Sequence, residues 1–184
     1  MEAPSVGTLG EAMNEESQLK ILPNGTKEWR LNGLLHRTDG PAIERADGNK
    51  EWWLNGKQHR TDGPAIERAD GTKEWWLNGK RHRIDGPAYE EANGDKEWWL
   101  NDGRHRTDGP AVEGTDGIKG WYIHGKLHRT DGPAIEGTDG TKEWFFNGKF
   151  LGSGDKGFWA LWELLTEEER SDWKLLQWAP WVKR

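Results

Sequence analysis

Hydrophobic and polar positions alternate along most of the chain in short runs that return every 23 residues. One run has the form K-E-W-W-L-N, as in Lys50 to Asn55, and a period of two marks a strand with unlike faces. The other is P-A-I-E-R, as in Pro64 to Arg68. Asp-Gly or Asn-Gly pairs (Asp70-Gly71, Asn93-Gly94, Asp116-Gly117, Asp139-Gly140) join the second run to the next first run. Such pairs supply the positive φ that tight hairpin turns need. A longer N-G-K-x-H-R-x-D-G connection leads from the first run to the second. The two runs predict about twelve short strands over residues 18–147, a meander roughly 50 Å long at about 4.8 Å per strand.

Single residue types keep the same spacing. Trp29, Trp52, Trp75, Trp98, Trp121 and Trp144 form one column, and His36, His59, His82, His105 and His128 form another. A strict period of this length is the mark of a repeat architecture in which one supersecondary unit is stacked on itself. A side chain present in every unit is suited to holding units together rather than to performing one reaction.

Alternation assigns the faces. Trp52 and Leu54 point one way, and the column partners of Leu54 (Leu31, Leu77, Leu100, Ile123, Phe146) stay apolar, so this is the expected structural face. Glu51, Trp53 and Asn55 point the other way. The Trp53 column is looser, reading Arg30, Trp53, Trp76, Trp99, Tyr122, Phe145. It has two readings: rings that stack along a curved sheet, or an aromatic stripe that contacts a partner.

The repeat fails after Asn147-Gly148-Lys149, where Leu151 stands in the His position. A helical pattern comes next, with Phe158, Leu161, Trp162 and Leu165 on one face. Thr166 with Glu169 matches a capping box and opens a second short helix, with Trp173, Leu176 and Trp178 inward and Pro180 at its end. Repeat arrays need such a cap to close an open end, although a Trp-rich segment could also dock on a membrane surface or partner. The expected organisation is a flexible leader at 1–17, a repeat array at 18–150 and a helical cap at 151–184.

Composition supports a thin structure. Of 184 residues only 33% are hydrophobic, with 14 Trp and 2 Met, and mean hydropathy is −1.03. Aromatic rings must therefore carry the burial, at about 150–250 Å² each. The net charge is −6, and residues 1–22 hold four acids and one base, which accounts for −3 of it. The array is nearly balanced and shows no basic stripe to capture phosphates, so nucleic acid is not an expected partner. Without cysteine the chain has neither disulfides nor thiolate metal sites. No apolar run reaches membrane-spanning length and no signal pattern opens the chain, which points to a cytoplasmic protein without membrane association.

Two motifs resemble catalytic signatures without their context. Gly152-Ser153-Gly154-Asp155-Lys156-Gly157 spells G-x-G-x-x-G, but only 27 residues come after it, too few for a returning strand of a dinucleotide fold. The H-R-T-D strings match part of a kinase catalytic loop, yet they recur in several units with no phosphate loop. Successive His would lie roughly 10 Å apart, too far to share one metal ion. Each is expected to hydrogen-bond its own loop, and each Asp of D-G-P-A to accept backbone N–H bonds. Several His titrating together would make stability sensitive to pH near 6 to 7. No catalytic constellation, metal site or cofactor site is expected.

The unit KEWWLNGKQHRTDGPAIERADGT resembles the MORN repeat, and its divergent variants most closely, through the W-x-N-G-K-x-H core. The resemblance covers residues 18 to about 150. It implies stacked β-hairpins in an elongated, twisted antiparallel meander, and a role in protein–protein contact and assembly. Similar H-R-x-D-G-P-A arrays occur in bacterial, phage and large-virus proteins. Arg60 and Asp62 replace glycines of the common pattern and Glu51 replaces the glycine before the Trp, so the lipid binding associated with MORN proteins does not carry over.

The expected function is a non-enzymatic adaptor or inhibitor, phage- or virus-encoded on that resemblance, that binds one protein partner through Trp53, Trp76, Trp99 and Tyr122, flanked by Phe145 and Arg30. Two alternatives stand beside it. One is a glycan or cell-wall module, since the W-W-L-N-G rhythm is similar to choline-binding repeats with their aromatic cages. The other is an assembly spacer, because open sheet edges can pair between chains.

Overall fold

The computed structural model describes residues 16–171 and 177–179. They form an all-β repeat array: a 14-stranded antiparallel sheet in which thirteen strands succeed one another in a continuous path, closed at the C-terminal end by two short helices. The path opens with Gln18–Ile21 against Lys27–Leu31. It then alternates the K-E segment of one run with the A-I-E segment of the next, so that Glu51 pairs with both Ile43 and Ile66, and Ile66 pairs in turn with Glu74.

The first run is more finely divided than its alternation suggests. The strand expected over Lys50 to Asn55 is Lys50–Glu51 and Trp53–Leu54, interrupted at Trp52. Trp52 changes partner: its N–H donates to the Ala65 carbonyl in the long sheet, and its own carbonyl accepts from His59 N–H. Beyond the break lies a separate two-stranded hairpin. Trp53–Leu54 pairs with Lys57–Gln58, which the pattern of runs places in the connection and not in a strand. Asn55 and Gly56 turn the chain with φ of 49° and 75°, the doubly positive geometry for which Asn-Gly is suited. Three more hairpins of this kind stand at Trp76–Leu77/Lys80–Arg81, Trp99–Leu100/Gly103–Arg104 and Tyr122–Ile123/Lys126–Leu127. In the first unit Lys27–Leu31 runs through without the break. The array is thus a central sheet with a parallel row of small hairpins beside it.

One alanine per unit (Ala42, Ala65, Ala88, Ala111, Ala134) is fully buried where the two rows meet. Among the described residues a larger core gathers at the C-terminal end. There Trp144, Phe158, Leu161, Leu165 and Ala179 are buried together, with Phe146, Leu151, Trp162 and Trp178 packed against them. Helix α1 (Gly154–Leu164) carries this face and starts inside the glycine-rich stretch rather than after it. Helix α2 (Glu167–Arg170) opens with the expected capping box: Glu169 N–H donates to the Thr166 hydroxyl, and Thr166 N–H donates to the Glu169 carboxylate. Most of the expected leader at 1–17 lies outside the described residues, as do Trp173, Leu176 and Pro180.

Candidate functional site

Two surfaces of the array repeat with the unit. The first carries the aromatic column. Glu51, Trp53 and Ile66 share a face by register, since Ile66 sits directly opposite Glu51. Each indole of the middle units is held by the acid two residues before it: Trp53 Nε1–H donates to Glu51 at 3.0 Å, Trp76 to Glu74 at 3.2 Å and Trp99 to Glu97 at 2.8 Å. The rings do not stack on one another. Between Trp76, Trp99 and Tyr122 lie arginines instead, Arg81 at 5.1 Å from Trp76 and 5.0 Å from Trp99, and Arg104 at 5.1 Å from Trp99 and 5.5 Å from Tyr122. A guanidinium over an aromatic face is attracted by the ring quadrupole.

Glu74 is the most enclosed acid of this face, 3% exposed. Burial works against its ionisation, but hydrogen bonds from Arg68 and Arg81 outweigh that, and its pKa lies below the ordinary value. Gly120 takes the glutamate's place beneath Tyr122, where a Cβ would come within 2.9 Å of the ring. At the ends of the column, Arg30 donates to Glu28 and to the Gly33 carbonyl, and Phe145 packs on Phe150 with centroids 5.1 Å apart. The six sequence-selected residues recur at one position of successive units and are half-buried; Trp53, Trp76 and Trp99 are tied to their own acids, Tyr122 to Arg104, and Phe145 to Phe150. Among Trp76, Tyr89 and Trp99 the place that a quaternary ammonium would take in an aromatic cage is filled by Arg81.

The second surface is made by the H-R-x-D-G-P loops. Each arginine lies over the tryptophan of its own unit: Arg37 on Trp29, Arg60 on Trp52, Arg83 on Trp75, Arg106 on Trp98 and Arg129 on Trp121, at 4.0, 4.0, 4.1, 3.9 and 3.8 Å. Its Nε donates to the loop aspartate, as Arg60 does to Asp62 at 2.9 Å. Its Nη1 donates to the proline carbonyl and the glutamate beyond it, Pro64 and Glu67 in that unit. The loop aspartates thus take the guanidinium rather than the expected backbone amides as their main partner, and it holds Asp39, Asp62, Asp85 and Asp108 below the usual carboxylate range. The glycine of D-G-P-A makes this possible, since a Cβ on Gly63 would stand 3.0 Å from Arg60 Cζ.

The histidines bridge units rather than closing their own loops. The Asn78 N–H donates to His59 Nδ1 at 3.2 Å, and the Asn78 side-chain oxygen Oδ1 lies 2.9 Å from the same nitrogen. Asn55 meets His36 in the same way, and the Asn147 N–H donates to His128. His124 occupies the Asn slot of its turn and donates its N–H to His105, with the two rings 4.4 Å apart. Desolvation and the neighbouring His124 lower the pKa of His105; burial lowers that of His128 although Glu169 opposes it.

Between consecutive loops lie clefts that the periodicity of a single unit does not foretell. One is bounded by Arg37–Pro41 and His59–Asp62 and floored by Trp52 and Leu54, with a volume of about 550 Å³. The next two, of about 590 and 580 Å³, are floored by Trp75 with Leu77 and by Trp98 with Leu100. A further cleft of about 490 Å³ lies at Trp29 and His36. The face assigned a purely structural role thus carries the concave features. Their walls come from loops one period apart, and the 23-residue spacing itself was the available signal. Among the described residues no three His, Asp or Glu side chains gather in a metal-binding group, and no helix is long and apolar enough to cross a membrane. Neither protein-family models nor curated proteins match this chain.

Proposed function

We propose that this chain is a non-enzymatic protein-binding repeat array, a cytoplasmic adaptor or inhibitor of the kind its resemblance to MORN repeats implies. The observation that carries the reading is the recurrence of one side-chain arrangement at constant register along a continuous sheet. Catalysis draws on a unique convergence of groups, whereas a repeated surface offers the same contact many times over, which suits a long macromolecular partner. Trp53, Trp76, Trp99 and Tyr122 present large amphipathic rings pre-ordered by Glu51, Glu74, Glu97 and the interleaved arginines, so little side-chain entropy is lost on contact. Arg81 within the aromatic cluster weighs against choline as the ligand.

The test is affinity capture from host-cell lysate with the wild type beside a variant carrying Ser at positions 53, 76, 99 and 122, both shown to be folded by circular dichroism. One stoichiometric protein retained by the wild type and lost from the variant supports the reading. Equal capture by both, or an empty wild-type lane, overturns the stripe as the binding surface.

A further inference from the structure

The row of clefts has a spacing, a floor and a rim, and together they select an occupant. Equivalent clefts are separated by two strands of the central sheet, about 9.5 Å. A polyproline II helix repeats every three residues at about 3.1 Å each, about 9.3 Å per turn. Every third side chain of such a helix points the same way, so one residue in three would enter successive clefts with a mismatch of about 1 Å over the whole row. An extended β-strand covers a similar distance in three residues, but its third side chain points to the opposite face. An α-helix covers the same step in about six residues, its same-face return at seven overshoots to about 10.5 Å, and it is about 10 Å wide. Polyproline II also lacks internal hydrogen bonds, so it can track the twist of a sheet that a rigid helix would leave.

The lining fits that conformer. The Trp52, Trp75 and Trp98 clefts are each lined by that tryptophan, one face of which carries its loop arginine, and by a leucine, and grooves lined by aromatic rings are how proline-rich segments are recognised. The rim sets the charge. The loop arginines are only 19–23% exposed because they lie on the indoles, while Asp39, Asp62, Asp85 and Asp108 are 78–79% exposed. Solvent therefore meets carboxylate at every step. At the far end the row closes: Asp131 is 32% exposed, and Arg129 lies 5.9 Å from the Trp178 ring of the cap.

We propose that the loop face binds a polypeptide in polyproline II conformation with a Lys or Arg at every third position, lying across the strands from the Trp29 cleft to the Trp98 cleft. This face is opposite the aromatic stripe, so the proposal stands or falls independently of partner binding at Trp53, Trp76, Trp99 and Tyr122.

The test is calorimetric titration of the whole protein with three synthetic peptides at low salt. The first is four repeats of Pro-Pro-Lys, the second has the same composition with its lysines clustered at one end, and the third is an alanine-rich helix with Lys at every seventh position. The first is expected to bind at least about ten-fold tighter than the second and to lose about ten-fold when Asp39, Asp62, Asp85 and Asp108 become Asn. Ile84, 85% exposed on the rim of the two central clefts, offers a variant that leaves the packing untouched, and Ile84→Lys is expected to weaken the first peptide several-fold. Equal binding of the first two peptides would reduce the effect to bulk charge attraction and overturn the proposal. So would tighter binding of the helix, no binding of the first peptide at millimolar concentration, or indifference to Ile84→Lys.

Discussion

Trp144 and Trp75 occupy the same place in their units and are covered by opposite chemistry. Trp75 is roofed by Arg83 at 4.1 Å, and that guanidinium is anchored by Asp85, the Pro87 carbonyl and Glu90. The unit of Trp144 has Leu151 where the H-R loop should begin, and its indole is covered edge-on by Phe158 at 5.6 Å and Trp178 at 6.3 Å. The first solution leaves the ring half-buried and the surface polar; the second leaves it 2% exposed within an apolar core. An arginine roof can be repeated indefinitely because it needs no third layer. A terminal unit without that loop needs a layer, and the helices supply it.

Replacing each tryptophan should separate the two solutions most widely. Trp144→Ala opens a cavity in the only layered core among the described residues and is expected to cost about 3–5 kcal/mol. Trp75→Ala should cost clearly less, and comparable losses in denaturant titration would erase the distinction. Gly157→Ala comes next. A Cβ there would collide with Trp144 Cδ1 and the Gly152 carbonyl, so the cap must lift, with an expected loss of about 1–3 kcal/mol and increased exchange of the amides of α1.

Arg83→Ala sharpens the other side. It removes one roof and is expected to cost about 1 kcal/mol, a loss that shrinks in high salt because its ion-pair share is screened. The loss from Trp144→Ala should not shrink with salt, and parallel melts at two ionic strengths make the check.

The smallest effect concerns pH. The folded-state pKa values of His105 and His128 lie below the ordinary 6.5, so the unfolded chain binds more protons as pH falls past that value. Their share of stability is complete above about pH 6.5 and is lost as pH drops toward the folded values. His124→Asn removes the like-charged neighbour of His105 and should flatten part of that slope. A melting temperature rising from pH 7.5 to 5.5 would refute the sign.

Much of this was legible in the residues. The period announced the array, Asp-Gly and Asn-Gly announced the turns, and the Phe158, Leu161, Leu165 spacing with Thr166 and Glu169 announced the cap. The break at Trp52 was not, because alternation runs unbroken through it and only the change of hydrogen-bond partner from Ala65 to His59 reveals it. The role of the loop arginine was available in retrospect: the one unit without H-R is the one whose Trp needed burial by helices. The unit-bridging histidines and the clefts arise between copies 19 to 23 residues apart, and reading a unit in isolation hides them.

The histidine-to-asparagine bridges have a genetic consequence. Because His59 engages Asn78 as His36 engages Asn55, these units meet like neighbours, whereas the unit of His105 meets His124 in the Asn slot. Duplication or deletion of a whole 23-residue cassette among the His–Asn units leaves their junctions as they were. A frame-preserving change of any other length would strand a ring without its partner. Copy number is therefore the coordinate along which this gene can vary most freely, lengthening or shortening its protein without redesigning either end.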